Sequence, residues 1–306
     1  MTKIHNITWR EHPKNPLIQP PFPSPVIADP SVLTPDESPD RKWHLFAHSI
    51  FGVHQYLSDD GIRWQKRPGI ASFLSVRPSV FKETGTYYLF YEKLKKVYKF
   101  PYYDSHIEVR ESSDLVHWSS PKMILEPTLP WHKSPPSSGT TSNPFVVKID
   151  GTYLLHYSAG LMRIPDTLFN EPAATGIAKA KQILGPYRFD PNPISRTEKL
   201  DERASPSANR VYPQGGNNTL GLQTYLYLDG DHKSRAALRL LKSTDNKKWA
   251  VVTDPLVAPK KGWKKSHVYV GDLKKYQGEY RIYFNARDGW RWGIERIGLL
   301  IGKLVS

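Results

Sequence analysis

The sequence contains no cysteine among its 306 residues, and this absence removes several classes of site at once. A chain without thiols has no disulfide framework, no cysteine nucleophile and no cysteine-liganded metal site. It also lacks the apolar run of about 18 residues that indicates a membrane-spanning helix. The opening residues, MTKIHNITWREHPK, lack the apolar core of a signal peptide. We therefore expect a cytoplasmic protein without a membrane partner.

Helical patterns are also scarce, because only TLFNEPAATGIAKAKQIL (167–184) has a helical bias. The chain is instead rich in aromatic and turn-forming residues, with 9 Trp, 17 Tyr, 27 Pro and 20 Gly. This composition is typical of short strands joined by turns. We therefore expect an all-β protein that is long enough to bury a substantial core.

Internal repeats predict the architecture. Three segments alternate apolar and polar residues around a turn glycine, which predicts hairpins: VRPSVFKETGTYYLFYE (76–92), SNPFVVKIDGTYLLHYS (142–158) and YVGDLKKYQGEYRIYFN (269–285). Two further segments, 27–49 and 212–230, fit the same plan loosely.

A third strand and a closing aromatic residue follow each hairpin. The aromatic residues are Trp64, Trp118, Tyr187 and Trp249, and the fifth copy, RIGLLIGKLVS (296–306), ends before one. Trp9, in the opening stretch, supplies it. The pattern predicts one domain over 1–306, a five-bladed β-propeller in which the N-terminal strand completes the C-terminal blade. Two stacked β-sandwiches are the alternative, but they do not predict this placement of Trp9.

The innermost strand of each blade faces the axis of a propeller, so residues where these strands begin are candidates for a site. Counting back from the turn glycines aligns Arg77 with Asn143, and aligning DPSV with RPSV adds Asp29. The fourth blade offers the polar run 214–218, which includes Asn217. The fifth offers 267–272, bounded by His267 and Asp272.

The motifs ADPSV, GTYYLFY, SSDLVHW and ILGPYRF resemble the five-bladed propeller glycosidases related to family 43, which include arabinofuranosidases and xylosidases. More distantly, the chain resembles fructan-cleaving enzymes and mannoside phosphorylases. The resemblance implies a sugar-binding funnel and a two-carboxylate mechanism. It implies an aspartate base in blade one, an orienting aspartate in blade three and a glutamate acid in blade four.

Asp29 matches the implied base, but the other two positions depart from the family. Asn143 stands where an aspartate is expected, and YPQGGNN (212–218) contains no glutamate. An amide cannot donate a catalytic proton, so the acid must come from elsewhere. We consider Glu92 the best substitute and Asp272 the second. The structural alternatives are a strand-end glutamate paired with a lysine and turn-forming aspartates.

The segment YFNARDGWRWGIERIG (283–298) is a second candidate for substrate binding. It offers polar groups and a ring that stacks on sugars: Asn285, Arg287, Asp288, Trp290 and Glu295. Ordinary packing within the blade is the alternative. The histidines do not show metal-ligand spacing, so we expect no cofactor, and the sequence does not indicate whether an ion occupies the axial channel.

The formal net charge of +14 leaves two functions open. One is a glycoside hydrolase that cleaves a short oligosaccharide or glycoside of the pentoside or furanoside type, including anionic ones, with water activated at Asp29. The other is an inactive propeller that binds a glycan or polyanion through basic stretches such as KLKKVYK (93–99). Such stretches are also common in solvated loops. No nucleic-acid module is present, so we expect no nucleic-acid partner.

Overall fold

The structure is a computed structural model that describes residues 7–98, 101–203, 205–215, 218–245 and 248–304. Strands account for the regular structure in these ranges, apart from the short 3-10 turns Pro130–His132 and Gly262–Lys264. The all-β prediction is therefore confirmed. Within the same ranges, no helix is long and apolar enough to cross a membrane.

Antiparallel pairing divides the strands into five successive groups. Strand β1 (Ile7–Glu11) joins the last group. Group one contains β2 (Ala28–Leu33), β3 (Trp43–Ser49), β4 (Gly52–Ser58), β5 (Gln65–Lys66) and β6 (Ser72–Phe73), and both short strands pair with β4. Group two contains β7 (Ser75–Glu83), β8 (Thr86–Val97), β9 (Tyr103–Ser112) and β10 (Lys122–Leu125).

The remaining groups repeat the plan. Group three contains β11 (Thr141–Ile149), β12 (Thr152–Arg163), β13 (Asn170–Ala180), β14 (Arg188–Phe189) and β15 (Ser195–Arg196). Group four contains β16 (Ser205–Pro213), β17 (Thr219–Leu228), β18 (Ser234–Ser243) and β19 (Ala250–Val257). Group five contains β20 (His267–Tyr276), β21 (Glu279–Arg287), β22 (Glu295–Leu304) and β1. A single parallel bridge, Ala236 to His267, connects the last two groups.

Three of the hairpins have two-residue turns with the same backbone conformation. Both central residues have positive φ in Thr84–Gly85, Asp150–Gly151 and Gln277–Gly278. Two consecutive positive φ angles define the turn whose twist matches paired strands, and glycine adopts this conformation without a steric penalty. These turns explain why a glycine recurs at the centre of each sequence repeat.

Apolar clusters lie between neighbouring groups. Five clusters contain buried residues of two neighbouring groups, in the pairs Leu33 and Leu89, Phe90 and Leu155, Val147 and Val211, Leu222 and Ile282, and Tyr283 and Trp43. Groups one to five are thus packed in sequence, and group five also packs against group one. Burial of these faces provides the main stabilisation of such a fold.

The N-terminal strand pairs with the C-terminal one, from Ile7 opposite Leu304 to Glu11 opposite Leu300. Trp9 lies opposite Gly302, and a Cβ at Gly302 would come 2.7 Å from the indole ring. The glycine therefore makes room for the aromatic residue that the repeat pattern assigned to this group.

The register of group four differs from the sequence prediction. The first hairpin of this group consists of β16 and β17, and the N–H of Gln214, which follows β16, donates to the carbonyl of Asn218, which precedes β17. The run 214–218 is therefore not at the beginning of the inner strand, and Asn217 lies outside the described residues. The prediction was wrong because the hairpin proposed from the sequence, 212–230, begins at the end of β16 and so leaves out most of the inner strand.

Candidate active site

The first strand of every group contains a register shift at a corresponding place. The shifts fall between 28 and 31, 76 and 79, 142 and 145, 206 and 208, and 268 and 271. A bulge changes the direction of a side chain, and bulges are common beside active sites. The side chains at these bulges line one cavity of about 400 Å³: Asp29, Arg77, Asn143, Ser207 and Tyr269.

Three of these residues have a strained backbone. Asp29, Arg77 and Asn143 have φ angles of 54°, 54° and 48°. Asparagine and aspartate tolerate this left-handed region, whereas arginine seldom occupies it. The surrounding sheets therefore hold the three side chains in these directions, and the equivalence that the repeats predicted is present in the structure.

Asp29 is buried and held through its backbone. Its N–H donates to Oδ1 of Asn285 at 3.1 Å, and its side chain lies 3.3 Å from Nδ1 of His48. Burial raises the pKa of Asp29, while Arg77 and Arg210 lower it. Burial and the charge of Arg77 lower the pKa of His48 to about 3. His48 is therefore neutral near pH 7, and its contact with Asp29 is not an ion pair.

Glu92 does not line the cavity. It is fully buried, and Oε2 accepts a hydrogen bond from Nη1 of Arg77 at 2.5 Å. The same Nη1 donates to the hydroxyl of Tyr103 at 3.1 Å. This geometry argues against the sequence-based choice of Glu92 as acid, because an ion pair with a cavity residue engages its carboxylate away from the substrate space.

Asp272 also lies away from the cavity. Its two oxygens accept hydrogen bonds from the backbone of Val32 at 2.6 Å and from the hydroxyl of Tyr212 at 2.9 Å. Nη1 of Arg210 lies 3.7 Å from the same carboxylate. Asp272 therefore joins β20 to β2 and β16, and the structure argues against its use as an acid. The bulge at Tyr269 and Val270 turns those residues, not Asp272, towards the cavity.

Two other glutamates line the cavity, Glu171 on β13 and Glu295 on β22. Burial raises the pKa of each to about 7. Arg77 opposes this shift at Glu171, and Arg287 opposes it at Glu295, while the carboxylates repel one another. Carboxyl groups whose pKa lies near neutrality are suited to proton donation. The sequence analysis assigned Glu295 to substrate binding and missed Glu171.

The two glutamates differ in how they are held. Nδ2 of Asn285 donates to Oε1 of Glu295 at 2.5 Å, and Nη1 of Arg287 lies 3.8 Å from its Oε2. In the described part of the chain, no hydrogen bond joins the carboxyl group of Glu171 to an amide or guanidinium. Glu171 instead lies beside the hydroxyl of Tyr269, which opposes the rise of its pKa, while Glu295 belongs to a network with Asn285.

The structure brings most predicted binding residues together and leaves three elsewhere. Asn143, Asn285, Arg287 and Glu295 line the cavity with Arg77. His267 is fully buried beside Ser234, and Trp290 donates its indole N–H to the Ser234 carbonyl. Asp288 accepts from the backbone of Ile294 and pairs with Arg296. These contacts support the loop between β21 and β22, and none of the three residues lines the cavity.

Part of the cavity lining is apolar. It includes Ile50 and Val97, which are 55% and 60% exposed. The other apolar lining residues include Val26, Val76, Leu94, Pro101 and Phe169. Exposed aliphatic residues beside a polar centre are typical of a ligand-binding mouth. Within the described ranges, no group of three or more histidine, cysteine or acidic residues is arranged to hold a metal ion.

No protein-family model matches the sequence. No curated protein matches it either. Solved structures, however, resemble it over nearly its whole length. The catalytic domain of the family 62 α-L-arabinofuranosidase of Coprinopsis cinerea has a TM-score of 0.68 and 16% identity, covering 97% of this chain and 98% of that one.

Two further structures extend the comparison. The α-L-arabinanase of Cellvibrio cellulosa, solved with arabinohexaose, has a TM-score of 0.63 at 14% identity and covers 90% of this chain and 91% of that one. The chain has the fold of the β-propeller glycosidases. An N-acetylgalactosamine deacetylase from F. plautii, solved with blood group B trisaccharide, has a TM-score of 0.66 at 14% identity, covering 96% of this chain and 95% of that one. At these identities the likeness concerns the fold, and it agrees with the resemblance noted in the sequence.

Proposed function

We propose that the chain is a single-domain, five-bladed β-propeller glycoside hydrolase acting on a short oligosaccharide or glycoside of the pentoside or furanoside type. The packing of each strand group against the next, and of group five against group one, supports five blades in a closed ring. The pairing of β1 with β22 supports closure by the N-terminal strand.

The observation that carries the proposed activity is the presence of Asp29 and Glu171 in one cavity. Both carboxyl groups are buried, and both have a raised pKa. A glycosidase that inverts configuration needs a carboxylate to activate water and a carboxylic acid to protonate the leaving oxygen. Glu171 is therefore proposed as the acid and Asp29 as the base.

In the proposed step, Asp29 accepts a proton from a water molecule while the water oxygen bonds to the anomeric carbon. The bond from that carbon to the glycosidic oxygen breaks, and the oxygen takes the proton of Glu171. The products are a free sugar and an alcohol. A second water then restores the protonation states by exchange with solvent.

Glu295 is proposed to position rather than to donate. Its hydrogen bond from Asn285 fixes the same amide whose Oδ1 accepts the backbone N–H of Asp29. Its charge also helps to raise the pKa of Glu171. Glu171, which no amide or guanidinium holds within the described residues, is left to donate the proton, and Glu295 supports the site through Asn285.

The lining supports a substrate with a polar sugar and an apolar neighbour. Asn143, Arg77 and Asn285 offer groups that bind sugar hydroxyls, whereas Ile50 and Val97 offer aliphatic surface at the mouth. We infer that the sugar lies against the polar residues and the leaving group contacts the aliphatic ones.

A glycan-binding protein without turnover is the second candidate. It is favoured by the inner positions of groups three and four, where Asn143 and Ser207 provide no carboxylate. Such a protein would bind the same saccharides but release no product.

Turnover of aryl glycosides separates the two candidates. The wild type is assayed on aryl furanosides and pyranosides beside Asp29→Asn, Glu171→Gln and Glu295→Gln, and thermal melts check folding. Glu126→Gln, which changes an exposed carboxylate outside the cavity, is the control. We expect Asp29→Asn to abolish turnover on every substrate.

The leaving group identifies the acid. A dinitrophenyl glycoside needs little protonation on departure, so Glu171→Gln should still cleave it while losing most activity on an alkyl glycoside. If Glu295→Gln shows this selectivity instead, the acid is Glu295. Saccharide binding with no turnover of any substrate would favour the binding protein.

A further inference from the structure

A second cavity, of about 260 Å³, lies between groups one and two. It is lined by Gln55 of β4, Arg110 of β9, Trp118 and the segment 67–71, which begins with Arg67. It shares no lining residue with the candidate active site. Any ligand bound here would therefore contact different side chains from a substrate at Asp29.

The two arginines of this cavity lack an anionic partner. Among the described residues, neither Arg67 nor Arg110 forms a salt bridge with a carboxylate. The Nε of Arg110 is buried without a hydrogen-bond acceptor. The side chain of Arg67 makes one long contact, from Nη1 to Oε1 of Gln55 at 3.4 Å.

Other partly buried arginines in this protein are paired. Arg77 pairs with Glu92, Arg235 with Asp229 and Arg296 with Asp288. A buried donor without an acceptor is costly, and an unpaired charge costs more. Two unpaired guanidinium groups at one cavity therefore indicate that an anion completes the site.

The volume and the lining of the cavity indicate the class of molecule that would carry the anionic group. Its volume is several times the roughly 30 Å³ that one water molecule occupies in the liquid, so the cavity accommodates more than a small ion. Trp118 provides an aromatic ring in the wall, and Gln55 provides an amide. Aromatic rings bind the apolar faces of sugars, and guanidinium groups bind phosphate, sulfate and carboxylate oxygens in pairs.

We propose that the cavity between groups one and two is a separate binding site for a saccharide that carries an oxyanion. Arg67 and Arg110 bind the oxyanion, and Trp118 contacts the sugar. This site does not depend on the activity proposed for the central cavity.

Titration calorimetry tests the proposal on the wild-type protein, because none of the probes contains a glycosidic bond that it could cleave. The probes are glucose 6-phosphate, glucose 6-sulfate, glucuronate, glucose and inorganic phosphate. We expect an anionic sugar to bind about tenfold more tightly than glucose or phosphate alone, because only it satisfies both halves of the site. Binding should weaken as salt is added.

Variants locate the binding. Arg110→Gln and Arg67→Gln should each weaken the anionic sugar by about tenfold, whereas Arg63→Gln, at an exposed arginine outside the cavity, should leave it unchanged. Arg110→Lys, which retains the charge but loses the paired donors, provides a second test if Arg110→Gln does not fold.

Three outcomes would overturn the proposal. If inorganic phosphate binds as tightly as the sugar phosphate, the cavity is a site for free oxyanions, and the proposal that it binds a saccharide is wrong. If both arginine variants bind the anionic sugars as tightly as the wild type does, these sugars bind outside the cavity between groups one and two. No binding of any probe to the folded protein would leave the two arginines without a ligand of this class.

Discussion

Asn285 and Glu295 are joined by a 2.5 Å hydrogen bond in which the amide donates, and the other side of the same amide accepts the backbone N–H of Asp29. Replacing Asn285 with Ala removes both bonds. We expect a loss of about 1–3 kcal/mol in the free energy of unfolding and a larger fall in kcat than rise in KM. Asn15→Ala is a matched control, because Asn15 also makes two amide bonds, to the backbone of Leu299, but lies outside the cavity. Equal kinetic effects of the two variants would contradict the positioning role.

The pH dependence of activity should reflect Glu171. Its pKa is raised to about 7 by burial, so it is protonated below that pH and loses the proton above it. We expect kcat/KM to fall as the pH rises through about 7, and to fall again in acid as Asp29 becomes protonated. Activity of Glu171→Gln on a dinitrophenyl glycoside should lack the alkaline fall. An unchanged alkaline fall in that variant would assign it to another group.

The Glu171→Gln variant should lose activity but gain free energy of unfolding at alkaline pH. The pKa of Glu171 rises from an ordinary 4.5 to about 7 on folding, so its protonated form favours the fold. The stability that this provides is complete below about pH 4.5 and is lost as the pH rises through 7. Glu171→Gln should therefore be more stable than wild type at pH 8, by on the order of 3 kcal/mol, and similar at pH 4.5. Urea unfolding at both pH values measures this difference, and a loss of stability at pH 8 would contradict it.

The ion pair between Arg77 and Glu92 should be important for stability, although Glu92 is not the proposed acid. Glu92 is fully buried, so Glu92→Gln leaves the guanidinium of Arg77 without its anion. We expect a loss of about 3–5 kcal/mol in the free energy of unfolding. The exposed pair of Lys95 and Glu126 provides the comparison, because Glu126→Gln should cost less than about 1 kcal/mol. Similar losses in the two variants, measured by urea unfolding, would show that burial of the pair has little effect.

The aliphatic mouth should recognise the leaving group. Val97→Asp places a charge beside the site, and we expect kcat/KM for nitrophenyl glycosides to fall by about tenfold. Val251→Asp is the matched control, because Val251 is 55% exposed against 60% for Val97 but does not line the cavity. If alkyl and aryl glycosides are unaffected by Val97→Asp, the leaving group does not contact this surface.

The repeats predicted the all-β fold and three of the five inner positions. Arg77 and Asn143 were located because hairpin turns of equal length preserve the spacing between a glycine and the bulge, and Asp29 because DPSV aligns with RPSV. The inner position of group four was missed, because the hairpin predicted at 212–230 begins at the end of β16, whereas Ser207 lies near its beginning. In group five the sequence indicated only the neighbourhood 267–272, and the bulge there turns Tyr269 and Val270, not Asp272, towards the cavity.

Glu171 was missed for a different reason. It lies on the third strand of its group, where β12 and β13 continue pairing as far as Arg163 and Asn170. The other repeats do not indicate such an extension, and the sequence around Glu171 has a helical bias. The pKa shift also depends on burial and on charges from other groups, which are distant in sequence.

Strand β1 pairs with β22, so residues nearly 300 positions apart in the sequence are neighbours in the sheet. During synthesis, at roughly 5–20 residues per second, β1 leaves the ribosome about 15 to 60 s before its partner does. Throughout that time one edge of β1 has no native strand to pair with. Pairing of β1 therefore waits until β22 has been synthesised, and the edge of β1 needs protection from edge-to-edge association until then.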